Sequence, residues 1–156
     1  MKNWQKLVAA ILICEGAGAL GAVFTTPAIA TWYATLAKPA WNPPSWLFAP
    51  VWTTLFVLMG IALYLIWRTD LTKIEEREAF WLFLAHLLVN VLWSVVFFGL
   101  HSPGLGVVVI LILLGYIIYL ITRFWPINRT AAWLLVPYAL WVSFATVLNF
   151  TIWQLN

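Results

Sequence analysis

Five uninterrupted apolar runs, each about 20 residues long, decide most of what this chain can become. They cover roughly Leu7–Ala30, Trp46–Trp67, Ala79–Leu100, Leu105–Trp125 and Ala131–Trp153. A helix rises about 1.5 Å per residue, so each run can cross the hydrocarbon of a bilayer. A backbone in lipid must satisfy its own hydrogen bonds, which leaves helices or a closed barrel. A barrel would show short segments of alternating polarity, not continuous runs. The expected fold is therefore all-α, an integral membrane bundle of five transmembrane helices. The helices fall at about 7–30, 46–67, 73–100, 105–125 and 131–153, in a single domain spanning residues 1–156. The third begins ahead of its apolar run, because Thr72-Lys-Ile-Glu75 reads as a capping box. Only 8% of the residues are charged, against about a quarter in a soluble domain, so little chain is left for one.

The few charges set an orientation. Basic residues near short loops mark the cytoplasmic side. Lys2, Lys6, Arg68, Lys73, Arg77, Arg123 and Arg129 would share one side, and Lys38 stands alone on the other. This split places the N-terminus inside and the C-terminus outside. The net charge of +3 is thus topology and not a nucleic-acid footprint, since no basic cluster sits on a soluble face. A cleaved signal sequence is the competing reading of the first run. That run is too long for the apolar core of a signal peptide and contains Glu15.

Catalytic machinery is sparse. His86 and His101 are single, and Cys14 is the lone cysteine, so neither a disulfide nor a metal site is expected. No phosphate loop, paired carboxylates or Ser/His/Asp set appears. Glu15 is the one acid inside a span, and such carboxylates are functional candidates by position. It reads either as a proton-coupling group of a transporter or as a buried acid bonded to a neighbouring backbone or hydroxyl group. In the same helix, Ala10, Cys14, Gly18 and Ala22 recur every four positions, and Ala17 and Gly21 form a second small pair. This spacing allows close helix contact, within the bundle or across a dimer seam.

Aromatic residues recur at helical spacing. Trp52, Phe56 and Met59 share one face of the second span. His86, Asn90, Trp93 and Phe97 share one of the third, and Tyr138, Trp141, Ala145, Leu148 and Asn149 one of the fifth. Apolar stripes with a few polar atoms are the make-up of a small-molecule pocket, and also of ordinary aromatic packing. Trp4, Trp32, Trp67, Trp125, Trp133 and Trp153 lie near span ends and read as an interfacial belt. Trp41, Trp46, Trp52, Trp93 and Trp141 need another account.

Three of those five lie in one connector. Residues 38–52 read KPAWNPPSWLFAPVW, with prolines at 39, 43, 44 and 50. Proline stiffens such a segment by restricting the unfolded chain. The longer stretch Trp32-Tyr-Ala-Thr-Leu-Ala-Lys-Pro-Ala-Trp-Asn-Pro-Pro-Ser-Trp46, then Pro50-Val-Trp52 and Met59-Gly60, resembles the translocator protein family. That family is also called tryptophan-rich sensory protein, TspO/MBR, or peripheral-type benzodiazepine receptor. Asn90-Val-Leu-Trp93 with Phe97-Phe-Gly99, and Pro137 through Asn149, match its motifs in the third and fifth helices. The chain looks like a bacterial-type member along nearly its whole length.

The resemblance implies a five-helix bundle, commonly a homodimer, with a pocket opening toward the loop between the first two helices. It implies binding of porphyrins such as protoporphyrin IX and of benzodiazepine-site drugs, in a stress-related sensor. Carried over, Trp52 and Asn90 look like polar ligand contacts. Tyr33, Phe56, Trp93, Trp141 and Ala145 look like pocket walls. Trp52 and Trp141 look like the pair tied to light-dependent porphyrin breakdown, with protoporphyrin IX as ligand or substrate and no covalent cofactor. Lys38 is a candidate contact for a propionate at the mouth. The family's cholesterol motif is incomplete here, with Phe150 and Gln154 where a tyrosine and a basic residue would stand. Three function classes follow: a tetrapyrrole receptor, a photochemical enzyme, and a transporter of porphyrins or other apolar ligands.

Overall fold

The computed structural model describes residues 1–156. All regular structure in the chain is helical, and five helical stretches are long and apolar enough to cross a membrane, as the apolar runs required. The first span is α1 (Asn3–Ala30), followed by a single turn, α2 (Trp32–Thr35). The second is α3 (Phe48–Trp67), entered through a 3₁₀ turn at Ser45–Leu47. Pro43 and Pro44 stand just outside that turn, where a missing N–H costs nothing. The third is α4 (Ile74–Ser94) and its continuation Val95–Gly99, and the fourth is α5 (Pro103–Phe124). The fifth is broken into α6 (Arg129–Leu134) and α7 (Val136–Leu155).

Three local features differ from expectation. The first helix begins four residues earlier than its apolar run, at Asn3. Thr72 does not cap α4; its N–H and hydroxyl both bond Asp70 Oδ1 instead, at 3.1 and 2.7 Å. Lys73 occupies the cap position, and the helix starts at Ile74. The third span ends in a π turn, where Leu100 N–H bonds Val95 O at 2.8 Å. The wider turn lets Phe97 and Phe98 both bury their rings, 4.8 Å apart. The break in the fifth span at Leu135 follows from Pro137, which has no N–H to continue the ladder.

The spans close into a ring. The first packs on the second, the second on the fifth, the fifth on the fourth, the fourth on the third, and the third on the first. Burial gives no hydrophobic gain between helices in lipid, so contact must come from close fit and polar links. Ala10, Cys14, Ala17 and Gly21 of α1 are all buried inside the bundle. At Gly60 the fit is backbone against backbone, because a Cβ there would stand 2.6 Å from the Ile11 backbone. The basic end is laced as well. Lys6 Nζ donates to Trp67 O at 3.1 Å, capping α3, and Arg123 pairs with Glu78 at 2.6 Å.

This packing makes a paired prediction. Gly60→Ala should cost about 1–3 kcal/mol by wedging α1 from α3. Gly115→Ala, with nothing within 4 Å of its Cβ, should gain about 0.5–1 kcal/mol by removing glycine entropy. Thermal midpoints of the purified variants in one detergent check both signs. Equal shifts would mean that Gly60 is not a contact point.

Candidate functional site

Within the ring, toward the Lys38 end, lies a cavity of about 300 Å³. Four of the five spans wall it, with α5 excluded. The second span contributes Phe48, Trp52 and Phe56, and the third contributes Asn90, Trp93, Phe97 and Phe98. The fifth contributes Trp141, Phe144, Ala145 and Asn149, and Tyr33 of α2 reaches in from the connector. The first span gives a different kind of wall. Gly18, Gly21, Ala22, Thr25 and Thr26 carry almost no bulk, so apart from Ile29 α1 closes the cavity with backbone and small side chains.

The rings form one linked set. Trp52 lies 5.6 Å from Phe56, 6.4 Å from Trp93 and, edge-on, 6.2 Å from Tyr138. Trp93 stacks on Phe97 at 5.5 Å. On the far wall Trp141 sits 6.3 Å from Phe48 and 5.5 Å from Phe144. Such offset and edge-on pairs rigidify the walls beyond simple area burial.

Polar atoms are few and mostly spoken for. Asn90 Nδ2 donates to the buried Tyr138 hydroxyl at 2.7 Å, and its Oδ1 receives no hydrogen bond from the chain. Asn149 Oδ1 accepts from Trp93 Nε1 at 3.1 Å, while its Nδ2 donates to Pro103 O at 2.9 Å. That one amide ties the third, fourth and fifth spans together and sets the tilt of the Trp93 ring. Trp141 Nε1 is buried with no acceptor in the chain. No lysine, arginine, histidine, aspartate or glutamate lines the cavity.

The connector lies over this end. Tyr33 OH donates to Asn42 Oδ1 at 2.8 Å, and Asn156 pairs through both amide atoms with the N–H and C=O of Ala37, each at 3.0 Å. Burial pushes the Tyr33 phenol up to about 12, against a smaller opposing effect of its bond to Asn42. It therefore stays a neutral donor at neutral pH.

The structure gathers Tyr33, Trp52, Phe56, Asn90, Trp93, Trp141 and Ala145 around the one cavity. Lys38 is not on its wall. Its ammonium donates to Tyr33 O and Leu36 O, both at 2.8 Å, and sits 5.0 Å over the Tyr33 ring. It holds the connector's own carbonyls, not the mouth of the cavity. Glu15 is half-buried and also absent from the wall, and its Oε1 has no partner in the chain. Of the unexplained tryptophans, Trp46 is exposed, and Trp41 leans on Phe144 at 5.8 Å. Met59, His86 and Tyr138 share the aromatic stripes but lie in the sealed core. Phe48, Phe98 and Phe144 were missed, as was the whole α1 wall. Phe98 lies off the regular helical stripe, and the α1 signal is an absence of bulk.

The family model for TspO/MBR matches residues 10–154. The chain belongs to the TspO/MBR family. Among its relatives are "Tryptophan-rich protein TspO" of Chlorobaculum tepidum, 46% identical over 99% of both chains, and its namesake in Archaeoglobus fulgidus, 42% identical over 99% of both. The bovine "Translocator protein" is 36% identical over 98% of this chain and 91% of its own. The chain is thus a multi-pass membrane protein of a family of tryptophan-rich sensory and translocator proteins.

Asn149 offers a test of the site's framing. Asn149→Leu strands Trp93 Nε1 and Pro103 O. It should cost about 0.6–1.7 kcal/mol per lost bond, the range for polar links between membrane helices. The thermal midpoint should fall and the Trp93 fluorescence should shift. An unchanged midpoint would show that the amide does not hold the three spans.

Proposed function

We propose that this chain is a membrane receptor whose cavity takes tetrapyrroles, protoporphyrin IX above all, and flat apolar drugs of the benzodiazepine-site class. One observation carries the reading: the cavity has aromatic walls on three spans, a bare fourth wall, and no charge. A flat macrocycle suits aromatic walls through offset stacking, and the glycines and alanines of α1 leave room for its other face. Asn90 Oδ1 supplies an acceptor, oriented because Tyr138 holds the other end of the amide.

The same observation divides the ligand. A carboxylate cannot be buried without a partner. Propionates must therefore stay at the cavity edge or in the headgroup layer while the apolar part of the ring goes in. Lys38 is not needed to meet them, since its ammonium is engaged elsewhere. The expected order of affinity is clear. Protoporphyrin IX dimethyl ester binds at least as tightly as the diacid, and an octacarboxylate porphyrin does not bind. Trp141→Ala weakens binding about tenfold, corresponding to about 1.4 kcal/mol.

A second reading is photochemical. Trp52 and Trp141 line the cavity from different spans, and Trp141 Nε1 has no protein acceptor. A porphyrin excited between two indoles has an oxidisable neighbour on either side. Titration of protoporphyrin IX in the dark, followed by illumination, separates the readings. Saturable one-site quenching of tryptophan with a stable porphyrin spectrum under light is the expected result. A new product band, lost in Trp52→Phe and Trp141→Phe at equal occupancy, would favour the enzyme. Quenching that never saturates would remove both.

A further inference from the structure

We infer that ligands enter the cavity sideways from the bilayer, through the seam between α1 and α3, and not through the connector above it. The inference rests on the receptor reading. Its ligands are apolar molecules already dissolved in lipid, and any acidic groups trail in the headgroups.

The seam changes character along its length. Toward the basic end it is sealed: Gly60 lies against the Ile11 backbone, and a Cβ at Gly18 would stand 2.6 Å from the Phe56 ring. Toward the Lys38 end the two helices no longer cover one another. Ala22 and Thr26 of α1 and Ala49 of α3 line the cavity and are at the same time exposed. Helical spacing puts Ala22 and Thr26 on adjacent positions of one face, on the α3 side of Gly18. Ala22, Thr26 and Ala49 are all short, and Ile29 is the one longer α1 side chain on the cavity wall. No hydrogen bond joins α1 to α3 there, since their link through Lys6 and Trp67 lies at the basic end, so passage between them breaks none.

The connector is the opposite case. Lifting it would break the two-bond clasp of Asn156 on Ala37 and pull Trp41 off Phe144, while the Tyr33–Asn42 bond and the three-carbonyl grip of Lys38 hold the segment itself as one stiff piece. Prolines 39, 43 and 44 limit the conformations it can reach on opening. A route that breaks a network competes poorly with one that breaks nothing.

Two variants in lipid nanodiscs separate the routes, with protoporphyrin IX dimethyl ester as the probe and tryptophan quenching as the readout. Thr53 shares the α1-facing side of α3 with Ala49 and Gly60, is exposed, and does not line the cavity. Thr53→Trp therefore places bulk on the outside of the seam, and Asn156→Ala undoes the clasp. A doorway alters the barrier and not the end states. Thr53→Trp should therefore slow association and dissociation together, about fivefold or more, with Kd within about twofold. Asn156→Ala should leave both rates within about twofold of wild type. Thr53→Leu repeats the first test with less bulk, should Thr53→Trp fail to fold. Faster binding and release in Asn156→Ala with no change in the seam variants would overturn the inference. So would seam variants that raise Kd without slowing association, since those residues would then be wall and not door. A wild-type chain that shows no saturable binding at equilibrium would instead remove the receptor reading, and the doorway with it.

Discussion

Lipid offers a backbone no hydrogen-bond partner, and the architecture follows from that. It forces five helices, and it then governs every place where a helix stops being regular. At the end of the third span, Val95 O is satisfied by Leu100 N–H across a π turn. At the break in the fifth, Leu135 N–H reaches back to Ala132 O, and Ala139 N–H takes up Leu135 O. Connector carbonyls near the cavity are gathered by the Lys38 ammonium and the Asn156 amide. Each irregularity is paid for locally; the π turn and the connector border the cavity, and the break at Leu135 lies in the sealed core.

The cavity itself comes from an imbalance of bulk. In lipid, helices associate by fit and not by hydrophobic gain. Small residues on α1 bring it close to α3 at Gly60 and to α4 at Gly21, where a Cβ would lie 3.0 Å from Ser94 Oγ. Further along, rings from the second, third and fifth spans prop the helices apart, and the α1 residues facing them, Ile29 apart, are too small to fill the gap. The stripe that packs the bundle at one end leaves it hollow at the other. The rings, fixed by Asn149 and by each other, keep the hollow from collapsing.

Much of this was readable beforehand, for a physical reason. Trp52, Phe56, Asn90, Trp93, Trp141 and Ala145 stand at spacings that put them on single helix faces. The same periodicity also selected Met59, His86 and Tyr138, which lie in the sealed core. Spacing reports the face of a helix but not the depth at which its neighbour pulls away. Phe98 was invisible because a π turn rotates it inward. The α1 wall was read as packing because a glycine that touches a helix and a glycine that borders a void look alike in sequence. Lys38 looked free because its partners are carbonyls, which every residue has.

Hydropathy and length by themselves determined five spans, because each local run must be removed from water whatever its neighbours do. The motifs between and within those spans determined the family. Tertiary structure alone decided which aromatic residues share one void, that the void carries no charge, that the connector is clasped by Asn156, and that short exposed residues of α1 and α3 line the void at one end of their seam. These depend on helix rotation, on the π turn at Val95–Gly99, and on contacts between residues far apart in the chain, as between Ala37 and Asn156. No local pattern encodes such contacts; they exist only once the ring has closed.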